Sequence, residues 1–296
     1  MKLKKLLAIA LALVMVLTLC ACGSSSSSTT ADSSAFTDTA AADTSAADPA
    51  APDASAADDT ASDDADDAEE TELTTINAGK LTVSMSADFP PYENLDDSGD
   101  IVGIEVDIMG LIAEQLGLEL QIDDMDFDSA LLAVQQGKSD MVVSGVTITE
   151  ERKLVMNFTD SYTTAVQVIV VPEGSEVTLD NLGDQLIGTQ RGTTGFIYCE
   201  DDYGSDHVVG YDSYTLVIQA LLNGQVDCVV MDDSVARAYV AENPSLSILD
   251  TEYAVEEYAF GVDKNNTALL DAVNTVLNAL MDDGTVQSII DQYISE

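Results

Sequence analysis

Positive charge is the scarcest feature of this sequence. Lys and Arg total 10 of 296 residues, against 54 Asp and Glu, and the formal net charge is −44. Proteins that bind nucleic acid neutralise phosphates with clustered Lys and Arg side chains, and their affinity depends on those contacts. We therefore expect no nucleic-acid partner, and the position of each cation becomes informative.

Patterns for metal binding and catalysis are also missing. His207 is the only histidine and has no Cys or Asp partner at metal-ligand spacing. Asp124, Asp126 and Asp128 look like the start of a calcium loop, but the central Gly and closing Glu are absent. The glycine-rich GTQRGTTG lacks the Lys of a phosphate loop, and no nucleophile, base and orienting residue can be combined from spacing. We expect no metal, no cofactor and no catalytic residue.

The first 21 residues have the pattern of an export signal. Three Lys residues precede an apolar run that ends in small residues. The run ends in Leu-Cys-Ala-Cys, which resembles a bacterial lipobox, and Cys22 fits the lipidated position better than Cys20, which follows bulky Leu19. An uncleaved membrane helix is the alternative, but the run is short for a span. We predict a signal peptide over 1–21, a lipid anchor on Cys22 and a location on the outer face of a bacterial cytoplasmic membrane.

The segment 22–72 is predicted to be an acidic, disordered tether. It consists of Ser, Thr, Ala, Asp and Pro, with 14 Asp and Glu and no Lys or Arg. Such a composition buries too little apolar surface to offset the entropy of ordering, and like charges keep the chain extended.

Residues 73–296 alternate predicted strands and helices in two similar halves. This alternation indicates an α/β fold with parallel sheets. We predict one lobe over 73–163 plus 259–296 and a second over 164–258, joined by crossings near 161–167 and 256–260. The tail from Thr267 has only helical periodicity and should dock on these lobes. A cleft between them, where strand ends meet helix starts, is the expected ligand site.

Arg152 is in an unusual place within TITEERKLVMNFT. Thr149 reads as the N-cap of a helix, which puts Arg152 at its third position, where an acidic residue is favoured. A guanidinium beside exposed backbone N–H groups could hold a carboxylate. The alternative is a surface ion pair with Glu150, Glu151 or another acid.

A longer series of segments resembles the extracellular solute-binding proteins of polar amino-acid ABC transporters. The segments include LTVSMSADFPPYEN, VGIEVDIMGLIAEQLG, IGTQRGTTG and LLNGQVDCVVMDD, and the most specific is GKSDMVVSGVTITEERKLVMNFT. The resemblance covers nearly all of 76–296. It implies a two-lobed periplasmic-binding-protein-like fold of type II, whose lobes close about a two-strand hinge on an L-amino acid and deliver it to a permease.

The same resemblance assigns the groups that hold the amino-acid head. Arg152 is expected to clamp the α-carboxylate, helped by main-chain and hydroxyl groups of Gly145 and Thr147. Thr193 and Thr194 are expected to approach it from the second lobe.

The resemblance also assigns the α-ammonium and the aliphatic body of the ligand. Asp232 is expected to accept the ammonium, and its neighbour Asp233 to be the N-cap of the next helix. Phe89 and Phe127 are expected to sandwich the aliphatic body, although either could instead be core.

The far end of the predicted site carries no charge. Ser86 stands where binders of basic amino acids have an acid, and Gln190 and Met231 fall at other positions lining this end. This departure puts a Lys or Arg ligand in doubt and favours a polar side chain. Glu93 and other loop acids could still reach in, so polar, small and basic ligands remain open.

Other functions on this scaffold remain open at this point. Some proteins of this fold are dehydratases, and an adhesin or a sensor would leave no mark in the sequence. We favour a monomeric, lipid-anchored binding protein with the transmembrane subunits of an ABC permease as its partner. Whether Cys199 and Cys228 pair is not decided by their spacing, and mid-strand Cys228 reads as a small buried residue.

Overall fold

The computed structural model describes residues 73–294. The predicted signal peptide, the lipidation residue Cys22 and the acidic tether lie outside the described residues. Within the described part of the chain, no helix is both long and apolar enough to cross a membrane.

The first stretch of the fold alternates strands and helices, as the apolar periodicity predicts. Its opening strand is an almost uninterrupted buried run, typical of a strand covered on both faces. Gly117 and Gly137 follow two of the helices with positive φ, which lets the last helical carbonyls find backbone donors. The elements are β1 (Lys80–Met85), β2 (Asp88–Phe89), β3 (Glu93–Leu95), β4 (Ile101–Val102), α1 (Ile104–Gln115), β5 (Glu119–Asp124), α2 (Phe127–Gln135), β6 (Met141–Val142), α3 (Glu150–Val155) and β7 (Met156–Phe158).

The second stretch repeats the alternation. Two of its helices begin at hydroxyl caps, since Thr193 and Ser213 each accept a backbone N–H three residues further on. The elements are β8 (Thr163–Pro172), a 3₁₀ helix (Leu179–Asp184), β9 (Ile187–Gln190), α4 (Thr194–Tyr203), a 3₁₀ helix (Ser205–His207), β10 (Val208–Tyr211), α5 (Tyr214–Leu222), β11 (Cys228–Asp232), α6 (Asp233–Glu242), β12 (Leu246–Ile248) and β13 (Ala254–Tyr258).

The tail is helical after one short strand, which confirms the prediction from its periodicity. It consists of β14 (Gly261–Asp263), α7 (Thr267–Asp282) and α8 (Thr285–Tyr293). Both helices pack against α1, and α7 buries Leu269, Val273 and Leu277 on one face. The tail therefore completes the layer that covers the first sheet.

The two large sheets are mixed rather than purely parallel. In the first, ordered β5-β1-β6-β14-β7, β1 runs parallel to β5 and β6, while β14 runs antiparallel to β6 and β7. In the second, ordered β10-β9-β11-β8-β12, β9 is parallel to β10 and β11, and β8 is antiparallel to β11, β12 and β13. The parallel centres come from the strand–helix alternation, and the antiparallel strands are those in which the chain crosses between sheets.

Two extended segments connect the sheets. β8 and β13 pair antiparallel, with Thr163 opposite Tyr258 and Gln167 opposite Ala254. The first sheet takes its strands from residues 80–158 and 261–263, and the second from 163–258. This distribution supports the lobe boundaries given above, which remain a prediction.

Candidate functional site

One cleft between the two large sheets brings together the residues predicted to hold the amino-acid head and the aliphatic body, and also Ser86 and Gln190 at the far end. The space between its lining atoms, counted out to the open mouth, is about 300 Å³. The lining residues are Ser86, Phe89, Phe127, Ser144, Gly145, Thr147, Arg152, Gln190, Thr193, Thr194 and Asp232. Only Ser144 in this set was not anticipated.

Strand ends explain why residues so far apart in sequence meet here. Ser86 follows β1, Ser144 follows β6, Gln190 ends β9 and Asp232 ends β11. The carboxyl ends of parallel strands lie at one edge of a sheet, next to the N-termini of the following helices. Each sheet therefore turns the carboxyl ends of its parallel strands toward the cleft.

Arg152 is buried at this edge. Thr149 caps α3 by accepting the backbone N–H of Arg152 at 3.1 Å, as the sequence predicted. The guanidinium donates from Nη1 to the carbonyl of Thr147 at 2.7 Å and from Nη2 to the carbonyl of Gly192 at 3.0 Å. Its carbon lies 5.5 Å from the ring centroid of Phe127. These contacts fix the plane of the guanidinium and leave its other N–H groups available to the cleft.

No ion pair among residues 73–294 involves Arg152. Glu150 pairs with Lys153 instead, at 2.9 Å, and Arg152 is buried, so the surface-pair explanation of Arg152 is wrong. Burial lowers the pKa of the guanidinium, and the negative charge of Glu256 partly opposes this. A cation that is 8% exposed and holds only neutral carbonyls is suited to receive a carboxylate.

Two aromatic rings form the walls of the cleft. Phe127 and Phe89 are 5% and 6% exposed and also belong to the hydrophobic clusters behind them, so each is both wall and core. Gly145 has φ +55°, and a Cβ there would lie 2.4 Å from Cε1 of Phe89. Glycine at this position therefore lets the backbone approach the ring.

The start of α4 faces the cleft from the second sheet. The Thr193 hydroxyl accepts the N–H of Phe196 at 3.1 Å and donates to the carbonyl of Gln190 at 2.8 Å, which fixes the turn. The Thr194 hydroxyl lies 3.4 Å from that of Thr147, across the cleft. Helix starts of this kind favour anions.

Asp232 is the acid of the cleft. It occupies the N-cap position of α6 but makes no capping bond, and its carboxylate accepts the hydroxyl of Tyr258. Asp233 is the first helical residue and pairs with Arg237 at 3.4 Å, so its prediction as N-cap was wrong by one position. Burial raises the pKa of Asp232 to about 7, with a further contribution from the negative charge of Glu256.

The far end of the cleft carries hydroxyl and amide groups. Ser86 donates to Asp88 at 2.9 Å, and Nε2 of Gln190 lies 3.4 Å from the Ser86 oxygen. Glu93 does not reach in, contrary to one sequence-based expectation, because β3 holds it fully buried behind Ser144, whose hydroxyl donates to it at 2.7 Å. Met231 is also fully buried in the core and does not line the cleft.

Buried acids behind the walls were missed from the sequence. Burial raises the pKa of Asp88, which accepts the N–H of Tyr214 at the start of α5 at 2.6 Å. Burial and the neighbouring Glu105 carboxylate raise the pKa of Glu93 well above its usual range, and burial also raises the pKa of Glu105. The sequence signal for such residues is weak, since acids are frequent everywhere in this chain.

The two cysteines of the described part are free thiols. Cys199 and Cys228 lie in one apolar cluster, and burial raises the pKa of each to about 12. This confirms Cys228 as a buried small residue. No group of three or more His, Cys, Asp or Glu able to hold a metal occurs among residues 73–294.

Comparisons with known proteins agree on one family. The family described as bacterial extracellular solute-binding proteins, family 3, matches residues 81–296. The ABC transporter arginine-binding protein 1 of Escherichia coli K12 is 32% identical, over 74% of this chain and 92% of that protein. These relatives are solute-binding proteins.

Solved structures show the same two-lobed type II fold. A mutant of ArgBP from T. maritima is 42% identical with a TM-score of 0.70, covering 74% of this chain and 96% of that one. The arginine-, lysine-, histidine-binding protein ArtJ from Geobacillus stearothermophilus is 33% identical with a TM-score of 0.70, covering 73% and 96% of the two chains.

Proposed function

The chain belongs to the bacterial extracellular solute-binding proteins of family 3, and on that premise we propose that its cargo is L-arginine. It is an extracytoplasmic amino-acid-binding component of an ABC importer. The proposal concerns which amino acid it takes, how the lobes hold it and how the protein is attached to the membrane.

The observation that carries the proposal is a pair of buried, opposite charges in one cleft that do not pair with each other. Within residues 73–294, the Arg152 guanidinium donates to two backbone carbonyls, and the Asp232 carboxylate accepts the Tyr258 hydroxyl. An α-amino acid offers a carboxylate to Arg152 and an ammonium to Asp232. The rings of Phe89 and Phe127 would then enclose its aliphatic chain, and Thr193 and Thr194 would approach the carboxylate from the second lobe.

The acids behind the far wall favour a cationic side chain. The Ser86 hydroxyl donates to the half-buried carboxyl of Asp88, and the Ser144 hydroxyl to the fully buried carboxyl of Glu93. A ligand cation at this end would be attracted by the Asp88 carboxylate behind Ser86. This is why L-arginine is proposed although Ser86 itself is neutral. The arginine-binding names of the relatives agree with it.

The proposal is tested by calorimetric titration of the purified protein, stripped of bound ligand, against the common L-amino acids. We expect L-arginine to bind most tightly, and Arg152→Ala to weaken binding by at least about a hundredfold, because a buried partner would be lost. Arg237→Ala is the matched control, since Arg237 is exposed and pairs only with Asp233. If L-glutamine or another neutral amino acid binds more tightly, the assignment of arginine fails. If no amino acid binds, the functional assignment fails as well.

We also propose that Cys22 carries a lipid anchor, that 22–72 is the tether, and that the protein works as a monomer beside the permease. The sequence around Cys22 supports the anchor. In a bacterial host, Cys22→Ser should move the protein from the membrane fraction to the medium, whereas Cys20→Ser should leave it in place. If only the Cys20 variant were released, the anchor would be assigned to Cys20 instead. Light scattering of the released protein measures its mass and so tests whether it is a monomer.

A further inference from the structure

A second buried acid lies beside the cleft without lining it. Glu256, on the crossing strand β13, is 4% exposed. Its Oε2 accepts the Thr147 hydroxyl at 3.2 Å and Nε2 of Gln167 at 2.9 Å. Its Oε1 has no hydrogen-bond partner within residues 73–294. Burying a carboxylate is costly, and this one lacks a cationic partner at ion-pair distance in the same range of residues.

The bond from Thr147 to Glu256 has a consequence for the cleft. A threonine hydroxyl has a single hydrogen, and a carboxylate oxygen can only accept. The Thr194 hydroxyl, 3.4 Å away, is the other possible acceptor, but the Glu256 carboxylate is closer at 3.2 Å and charged, so we assign the Thr147 hydrogen to Glu256. The Thr147 hydroxyl then presents only lone pairs to the cleft. An acceptor at this point repels a ligand carboxylate and can bind an ammonium. The hydroxyl of Thr147 is thus unsuited to the carboxylate clamp expected for it from the sequence.

Glu256 lies among the residues proposed to bind the ligand's α-carboxylate and α-ammonium. Its negative charge contributes to the pKa values of both Arg152 and Asp232, and to that of Tyr198 across the same space. Tyr258, two residues along β13, donates to Asp232. One strand of the hinge therefore orients two acceptors, Asp232 and the Thr147 hydroxyl.

We propose that Glu256 is a positioning residue for recognition of the ligand's α-ammonium. By holding the Thr147 hydroxyl as an acceptor, it makes the cleft discriminate against acids that lack the ammonium group. The inference rests on the proposed function, since it assumes an α-amino acid in the cleft.

The test compares two ligands in each variant by calorimetry. One is the L-amino acid that wild type binds most tightly, and the other is the same acid without its α-ammonium, which for L-arginine is 5-guanidinopentanoate. Glu256→Met removes the acceptor with little change in volume. Glu257→Gln is the matched control, because Glu257 is exposed on the same strand and carries the same charge. Glu256→Gln keeps one acceptor oxygen and serves if the Met variant does not fold.

We expect Glu256→Met to reduce the preference for the amino acid over its des-amino analogue by at least about tenfold, the equivalent of one hydrogen bond to a charged group. Glu256→Gln should reduce it less, and Glu257→Gln by less than about twofold. Adding Thr147→Val to Glu256→Met should cause little further loss of this preference, since both substitutions remove the same Thr147–Glu256 hydrogen bond.

Failure of the inference about Glu256 can be distinguished from failure of the proposed function. If Glu256→Met weakens both ligands equally, Glu256 has only a structural role and the inference is overturned while amino-acid binding stands. If wild type binds no amino acid, the proposed function fails and the inference fails with it.

Discussion

Asp232 should make the ligand-free protein less stable at neutral pH than a variant without this charge. Burial raises its pKa from 3.8 to about 7, so the folded state binds this proton more tightly than the unfolded state. The Asp232 carboxylate therefore does not destabilise the folded state well below pH 3.8. The destabilisation grows as the pH rises from 3.8 to about 7 and is complete above about pH 7. A shift of this size corresponds to about 4 kcal/mol.

Asp232→Asn removes the penalty while keeping an acceptor for the Tyr258 hydroxyl. Allowing for relaxation, we expect a gain of about 2 kcal/mol, or roughly 4 to 8 °C in Tm, at about pH 8. The gain should disappear at about pH 3, where the wild-type carboxyl is mostly protonated in both states. Thermal unfolding followed by circular dichroism at the two pH values measures it, with Asp233→Asn as the control for an adjacent charge that is already paired.

The same variant should bind its amino acid at least about a hundredfold more weakly, since the ammonium would lose its counter-charge. Wild-type affinity should also fall about tenfold for each pH unit below 7, because the ammonium requires the ionised carboxylate. His207 does not line the cleft, so His207→Gln should leave this pH dependence unchanged. An Asp232→Asn protein that is less stable than wild type at both pH values, or that binds undiminished, would refute the reasoning.

Two further predictions follow from burial. Gly145→Ala should lower the free energy of unfolding by about 1 to 3 kcal/mol and weaken ligand binding, because φ is +55° and the new Cβ meets the Phe89 ring. Gly110→Ala is the control, because a Cβ at Gly110 in α1 would meet nothing within 4 Å. It should be neutral or raise the free energy of unfolding by up to about 1 kcal/mol in denaturant titrations. If both variants lost the same stability, the steric argument would be contradicted. Cys199 and Cys228 should resist alkylation in the native protein at about pH 8 and react fully in denaturant, as buried thiols do. Thiols that remain unreactive after unfolding without reductant would instead show a disulfide.

The sequence was sufficient for most of the site and for the order of its elements. Arg152 stood out because a cation in a helix start is unfavourable in a chain with so few, and its neighbours came from a family resemblance. Ser86, Gln190 and Asp232 came from the same resemblance, and their positions at the carboxyl ends of strands in the two sheets agree with the strand-end rule. Sheet order was not accessible in the same way, because the antiparallel positions of β8 and β14 depend on tertiary contacts and not on local periodicity.

Burial of individual acids was the other property that the sequence did not reveal. Glu256 and Glu257 are adjacent in a strand, and only the packing of Tyr258 on the inner face decides which carboxylate is buried. Glu93 looked like a loop acid free to reach the ligand, but a short strand pairing turns it inward. In a chain with so many acidic residues, the composition does not indicate which of them are buried.

The selectivity of the cleft can be traced to charges that the protein leaves without partners of its own. Arg152 and Asp232 are both buried, and neither is satisfied by an opposite charge from residues 73–294. A ligand with only a carboxylate would pair with Arg152 but bring its negative charge near Asp232 and Glu256. A ligand with only an amine would pair with Asp232 but bring its positive charge near Arg152. A site that buries polar groups in this way rejects the incomplete analogue strongly, because the unmatched group stays desolvated. On the proposed assignment, the instability predicted for Asp232 in the ligand-free protein would be the physical source of a preference for a zwitterion.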